Sequence, residues 1–226
     1  MKKEWTYLQV DGRKWKASHL SESVILLETK AGIDYTEIHS LADFIKQCLK
    51  SSLKDIVPAY QSIAMCTDLT VEEVVSRLDG QKTTKTATTT EVIKLPICYE
   101  LGLDLDELAE QLSLTKESII AKHLAGIYTS AFIGFSPGFV YAEGLHPSLA
   151  FPRRSSPRKQ VEAGSVGIGG SQTGIYSINS PGGWNIIGRT PVQLLNPAQQ
   201  PPVLLPIGTR FSFFRITQKE FETWEN

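Results

Sequence analysis

AGSVGIGGSQTGIY, residues 163–176, decides how the second half of this chain is read. Short apolar pieces alternate there with Gly164, Gly167, Gly169, Gly170 and Gly174. One reading is a β-hairpin whose glycines supply turns and bulges. The other is an anion nest, with exposed backbone N–H groups beside Ser171, Gln172 and Thr173. The residues weight the two about evenly. Two nucleotide motifs are excluded. The run has no Lys-Ser/Thr ending, and Gly167-x-Gly169-x-x-Gln172 lacks the third glycine of a dinucleotide fingerprint.

The same texture extends outward from Gly126 to Ile216, as short apolar pieces separated by Gly and Pro. That predicts an all-β barrel or sandwich. Within it, Gly134-Phe135-Ser136-Pro137-Gly138 has the form of a hydrolase nucleophile elbow, but Pro137 lacks the N–H that an oxyanion hole needs after the serine. GFSPGF therefore reads as a rigid turn between strands. In PRRSSPRK (152–159), Arg153 and Arg158 each follow a chain-stiffening proline and are placed to bind a carboxylate or phosphate, whereas Arg154 and Lys159 read as solvated. Pro181-Gly182-Gly183-Trp184, with Arg189 close behind, is either a hairpin with its tryptophan in the core or an aromatic wall beside a cation. His123 ends an amphipathic helix, where a cap or packing role is commoner than acid–base work.

Upstream, Asp104–Leu112 and Thr115–Leu124 read as short helices, the second capped by Thr115 with Glu117 in its first turn. Glu91–Tyr99 reads as a strand. The polar run QKTTKTATTT (81–90) marks a domain boundary, although so many threonines also suit an edge strand. Before it, Ser23–Glu28 reads as a buried strand and Ile56–Cys66 as one extended stretch with Pro58 near its start. Tyr35–Lys50 places Ile38, Leu41, Ala42, Ile45 and Leu49 at helical spacing. Val71–Leu78 reads as a helix capped by Asp68 or Thr70 and ended by Gly80.

Bulk properties narrow the function. The 226 residues are 41% hydrophobic and 21% charged, enough for one large or two modest cores. A net charge of −1 argues against nucleic acid. MKKEWTYLQV has no apolar stretch behind its lysines, and Val24–Leu27 is too short to span a bilayer. Cys48, Cys66 and Cys98 form neither a disulfide framework nor a metal site. The expectation is a cytoplasmic protein with no metal, no nucleic acid and no membrane partner.

Four runs in order and spacing, GFSPGFVYAEGL (134–145), PRRSSPR (152–158), AGSVGIGGSQTGIY (163–176) and SPGGWNIIGRTP (180–191), resemble the family of 5-oxoprolinase B subunits. That family includes the kinase A inhibitor. It is similar to subunit 1 of allophanate hydrolase and to the matching half of the urea carboxylase carboxyltransferase domain. The likeness is strong over 95–216, reaches back through His123 and Tyr128, and covers the N-terminal region by general layout. Ala142, Glu143, Glu162 and Ser177 depart from the family's usual residues at loop edges. The resemblance implies an α+β N-terminal domain of ferredoxin-like type (1–88) and an all-β cyclophilin-like barrel (89–226).

It also implies an ATP-dependent opening of 5-oxoproline to glutamate. Such a site needs cations and backbone donors for a developing oxyanion and phosphate. Arg153, Arg158, Arg189 and Gln172 are the expected catalytic residues. His123, Gly169, Gly170, Ser171, Thr173, Tyr176 and Trp184 are the expected substrate-binding ones. No nucleotide motif is evident, so this chain alone is expected to bind no cofactor, with ATP used by a complex that includes the C and A subunits of 5-oxoprolinase. Two alternatives accompany this reading. One is inhibition of a sporulation sensor histidine kinase. The other is half of a biotin-dependent carboxyltransferase, although the chain has no Met-Lys-Met attachment sequence.

Overall fold

The computed structural model describes residues 5–30, 32–83 and 91–225. The chain divides into two compact units, 1–87 and 88–226. Unit 1 contains strands β1 (Trp5–Val10), β2 (Arg13–Ser21) and β3 (Val24–Glu28), helix α1 (Tyr35–Leu49), strands β4 (Leu53–Pro58) and β5 (Ser62–Thr67), and helix α2 (Val71–Leu78). Its sheet is antiparallel throughout, in the order β1-β2-β3-β5-β4. Alternate strand residues Leu8, Val10, Trp15, Ala17, Ile25, Leu27, Ile63 and Met65 are buried. They cluster with the apolar stripes of α1 and α2, as a two-residue strand period and a 3.6-residue helix period require. Thr70, rather than Asp68, caps α2. It forms a full capping box with Glu73, and Gly80 follows the helix at φ +74°.

One stretch differs from expectation. Ile56–Cys66 is not one extended run but the end of β4, a turn at Ala59–Gln61 and β5, paired as a hairpin. The β1–β2 hairpin turns at Asp11-Gly12, and both residues take the positive φ of a two-residue turn, 54° and 73°. The order β3-α1-β4-β5-α2 matches the first five elements of a ferredoxin-like β-α-β-β-α-β unit. However, the strand beside β3 is β2, which precedes it. The sheet thus has five strands rather than four. The expected boundary run 81–90 lies outside the described residues from 84 onward.

Unit 2 contains β6 (Val92–Ile97), α3 (Leu105–Leu112), α4 (Lys116–Leu124), β7 (Tyr128–Ile133), β8 (Val140–Glu143), β9 (Arg158–Val161) and β10 (Ser165–Gly169). It continues with β11 (Gln172–Ile175), β12 (Ser180–Gly182), β13 (Asn185–Arg189), β14 (Arg210–Arg215) and α5 (Gln218–Glu222). Seven strands form one sheet in the order β13-β10-β11-β8-β7-β14-β6, and β9 and β12 form a separate ribbon. The β6–β14 pair is parallel, so the sheet is mixed. It curls until its edge strands meet at a single bridge, where Cys98 and Arg189 exchange backbone hydrogen bonds of 2.8 and 2.9 Å. The expected barrel is present as a curled mixed sheet, a half-barrel whose edges meet only at that bridge. Helices α3 and α4 add Leu105, Leu108, Ile119 and Ile120 to its core. No helix among the described residues is long and apolar enough to cross a membrane.

The run 163–176 folds as β10, the turn Gly170-Ser171 and β11, with Gly169 paired to Gln172. Its glycines have a packing cause. A methyl group at Gly169 would come within 2.7 Å of the Trp184 ring, and one at Gly174 within 2.8 Å of Phe139 and 2.9 Å of Trp184. Trp184 lies across the hairpin in the space that side chains would fill. Gly174→Ala is expected to destabilise the chain by about 1–3 kcal/mol through overpacking. Gly170→Ala, at φ +66° with nothing nearby, should cost only the left-handed penalty of about 1–2 kcal/mol. Urea unfolding of both variants checks the order.

Candidate functional site

The loop carrying the expected cations is held by a carboxylate that sequence reading did not select. Asp104 stands immediately before α3, and its side chain is 3% exposed. Its backbone N–H donates to the Ile186 carbonyl at 2.8 Å, and its Oδ2 accepts from the Ile186 N–H at 2.6 Å, so it pairs with β13 through two bonds. Its Oδ1 accepts from Arg154 Nη1 at 2.8 Å and from Arg158 Nη2. Arg154 also donates to Glu107 at 2.9 Å. Arg154 is thus a half-buried, paired residue and not the solvated cation expected. Arg158 is likewise committed to Asp104, but its Nη1 is buried without a partner among the described residues.

Arg153, between these anchors, behaves differently. It is exposed and forms no salt bridge among the described residues. Its guanidinium lies over the Trp184 ring, 5.1 Å from the centroid. It also sits beside the Tyr141 hydroxyl: burial raises that phenol's pKa, and Arg153 pulls it part of the way back. Beneath them lies an aromatic cluster. Phe139 makes edge contacts with Tyr141, Tyr176 and Trp184 at 4.7, 4.9 and 5.6 Å. Phe135, at the tip of the GFSPG turn, is 64% exposed and holds φ +69°, a strained conformation for a bulky residue. The Tyr176 hydroxyl is buried beside the Trp184 backbone; burial raises its pKa, and the backbone hydrogen bond with Trp184 and then Arg153 and Arg158 oppose the rise.

The other expected site residues fall into three places. Gly169 and Gln172 flank the turn, with Gly169 seated on Trp184. Gly170 and Ser171 are exposed at the turn itself. The Gly170 N–H donates to the Phe151 carbonyl at 2.7 Å, so it is not free for an anion, and the nest reading gives way to the hairpin. His123 and Thr173 lie in the core, both fully buried. His123 stacks on Phe213 at 4.9 Å, its Nδ1 shares a 2.7 Å hydrogen bond with the Tyr99 hydroxyl, and its Nε2 faces Thr173 Oγ1 at 3.4 Å. It is a core histidine in this structure, not a group open to substrate. Burial pushes its pKa down to about 3. Arg189 donates to the Ala163 carbonyl, pairs with Glu162 and lies over the Phe221 ring. It lines an open cleft of about 420 Å³ with Glu100, Gln160, Glu162 and Ser165, away from the aromatic cluster. Its role here is to tie β13 to the segment before β10. The structure therefore brings together Arg153, Arg158, Tyr176 and Trp184. It adds Asp104, Phe135 and Tyr141, and it separates His123, Thr173 and Arg189 from them.

A half-barrel with this motif set defines a class. The pattern of the carboxyltransferase domain, subdomain C and D, matches residues 15–205, and the chain belongs to that family. Among its relatives, the 5-oxoprolinase B subunit of Bacillus subtilis is 43% identical over 136 residues, covering 59% of this chain and 57% of the relative. The protein of the same name from Haemophilus influenzae is 48% identical over 123 residues, 54% of this chain and 58% of that one. The matches thus span a little over half the length of these curated relatives. A crystal structure of the conserved protein PH0987 from Pyrococcus horikoshii superposes with a TM-score of 0.56 at 32% identity, covering 91% of this chain and 99% of that one.

Two consequences are measurable. Asp104→Asn keeps an acceptor for Ile186 but removes the charge facing two partly buried guanidiniums, and should cost about 2–3 kcal/mol in urea unfolding, less than a fully buried pair would because both arginines stay partly exposed. For His123, the unfolded chain takes up a proton near pH 6.5, but the folded chain does so only near 3. Stability from this group is therefore fully present above pH 6.5 and is lost as pH falls towards 3, at up to about 1.4 kcal/mol per pH unit. His123→Asn should flatten that part of the urea-midpoint profile.

Proposed function

We propose that the chain is the B subunit of an ATP-dependent 5-oxoprolinase, a cytoplasmic enzyme that opens 5-oxoproline to glutamate and acts only when the A, B and C subunits are assembled. The observation that carries this reading is the 43% identity to the Bacillus subtilis 5-oxoprolinase B subunit over 136 residues. It is supported by the chemistry of the Arg153–Trp184–Tyr141 cluster. We read unit 1 as a variant of the ferredoxin-like layer and unit 2 as the cyclophilin-like half of a carboxyltransferase-type pair.

A lactam is resonance-stabilised and resists water. Transfer of the γ-phosphoryl group of ATP to its carbonyl oxygen, with ADP leaving, makes the ring carbon electrophilic. Water then adds and the C–N bond breaks with the nitrogen taking a proton, and a second water hydrolyses the resulting γ-glutamyl phosphate to glutamate and phosphate. The groups suited to this step are cations and hydrogen-bond donors held in place before the charge develops. Arg158 Nη1, buried without a partner among the described residues, is of that kind, and the remaining donors and the nucleotide site fall to the C subunit. Membership of the carboxyltransferase family favours one other reading, half of a urea- or allophanate-type carboxyltransferase. A biotin carboxylase gene beside this one would support it, whereas genes for the A and C subunits would support the oxoprolinase.

The test is reconstitution. Purified A and C subunits mixed with this chain should release glutamate and phosphate from 5-oxoproline and ATP, while this chain alone should not. Robust turnover by the chain alone would remove the shared-site reading, and an inactive mixture would remove the oxoprolinase reading.

A further inference from the structure

Of the three arginines in the 152–158 loop, two are electrostatically satisfied: Arg154 by Asp104 and Glu107, and Arg158 by Asp104. Arg153 has no carboxylate among the described residues, yet the backbone around it is tied on both sides. Phe151 exchanges two hydrogen bonds with Gly170, of 3.0 and 2.7 Å. The Pro152 carbonyl accepts from Asn185 Nδ2 at 2.9 Å, and the Arg154 N–H donates to the Gly183 carbonyl at 2.7 Å. A solvated arginine needs no such scaffold.

The seat of the cation over the Trp184 ring says which part of Arg153 is available. A guanidinium over an indole engages the face of that ring, and the N–H donors that the Tyr141 hydroxyl does not take remain for a fork. That fork matches the two oxygens of a carboxylate. The buried Arg158 Nη1 has no hydrogen-bond partner among the described residues, and the Tyr176 hydroxyl, which feels both Arg153 and Arg158, places it near the same cation. Unsatisfied buried polar groups in a native structure call for a missing partner. The exposed Phe135 ring, held at positive φ in edge contact with Tyr176 at 6.5 Å, supplies apolar surface beside them.

We propose that Arg153, stacked on Trp184 and flanked by Tyr141, is the carboxylate-recognition residue of this site, which therefore selects a small cyclic amide that bears a carboxylate over the same ring without one. This rests on the oxoprolinase reading for the identity of the amide, and deepens it by assigning the substrate's charged end. The amide itself is then left to donors other than Arg153, so Arg153 sets specificity and is not the group that stabilises the reacting carbonyl.

The experiment compares 5-oxoproline with 2-pyrrolidinone, the same lactam lacking the carboxylate, in the reconstituted three-subunit complex. The native complex should prefer 5-oxoproline in kcat/KM by on the order of 100-fold, the scale of a lost charge-assisted pair. Arg153→Gln should reduce that preference to within a few-fold, mainly through KM. Arg153→Lys, which keeps the charge but not the fork, should fall between. Equal loss of both lactams in Arg153→Gln, or an undiminished preference, overturns the proposal. A complex that turns over neither lactam would sink the oxoprolinase reading instead, and NMR titration of the full chain then decides the carboxylate assignment. Shifts of the Trp184 indole with 5-oxoproline but not 2-pyrrolidinone, lost in Arg153→Gln, support it, and shifts indifferent to the carboxylate or to Arg153 overturn it.

Discussion

Burying a carboxylate is costly unless every oxygen finds a donor, and Asp104 meets that condition with groups from two distant segments. Its partners stand 82, 50 and 54 residues along the chain, at Ile186, Arg154 and Arg158. One side chain therefore fastens the start of α3 to β13 and holds the arginine loop against both. Because Arg154 and Arg158 are spent on this contact, the loop presents Arg153 outward. Which cation of the loop stays without a carboxylate partner is thus set by a residue outside the loop.

The second constraint is the seat of Trp184. An indole laid across a hairpin needs positions without Cβ atoms, and Gly169 and Gly174 provide them. The tryptophan is 4% exposed, and its packing against Phe139 and Tyr141 fixes the platform on which Arg153 rests. Aromatic rings with edge contacts lose little freedom once placed, so such a platform is stiff before any ligand arrives. That stiffness suits a site whose task is orientation. His123, by contrast, belongs to the packing of the half-barrel, where a neutral imidazole with Tyr99, Thr173 and Phe213 around it fills space and satisfies its own polar atoms.

Much of the secondary structure was legible in the sequence because its signals are local. Helices α1, α2 and α4 follow from apolar spacing and from Thr70 and Thr115 as caps, and the GFSPGF turn from its own glycines and proline. The β4–β5 hairpin was not separated, because Pro58-Ala59-Tyr60-Gln61 has none of the glycine or asparagine that marks a tight turn. Arg154 was misjudged for a different reason: a cation in a polar loop looks solvated until its acidic partners, Asp104 and Glu107, are brought to it from about fifty residues away.

The sequence by itself determined the kinds of group in the site, the family motifs and their order, and the stiff turns that carry them. Those are properties of residue type and near-neighbour spacing. Only the tertiary structure decided which cations are free, why the glycines are there and which expected ligands are core. The Asp104 pairs, the Trp184 seat and the burial of His123 each join segments that a single sequence leaves unconnected. The Cys98–Arg189 bridge that meets the curled sheet edge to edge was decided in the same way. A closed barrel and a half-barrel share the same short strands and turns. They differ only in how far the two edges pair, and that is settled by long-range backbone hydrogen bonds with no signature in the local run of residues.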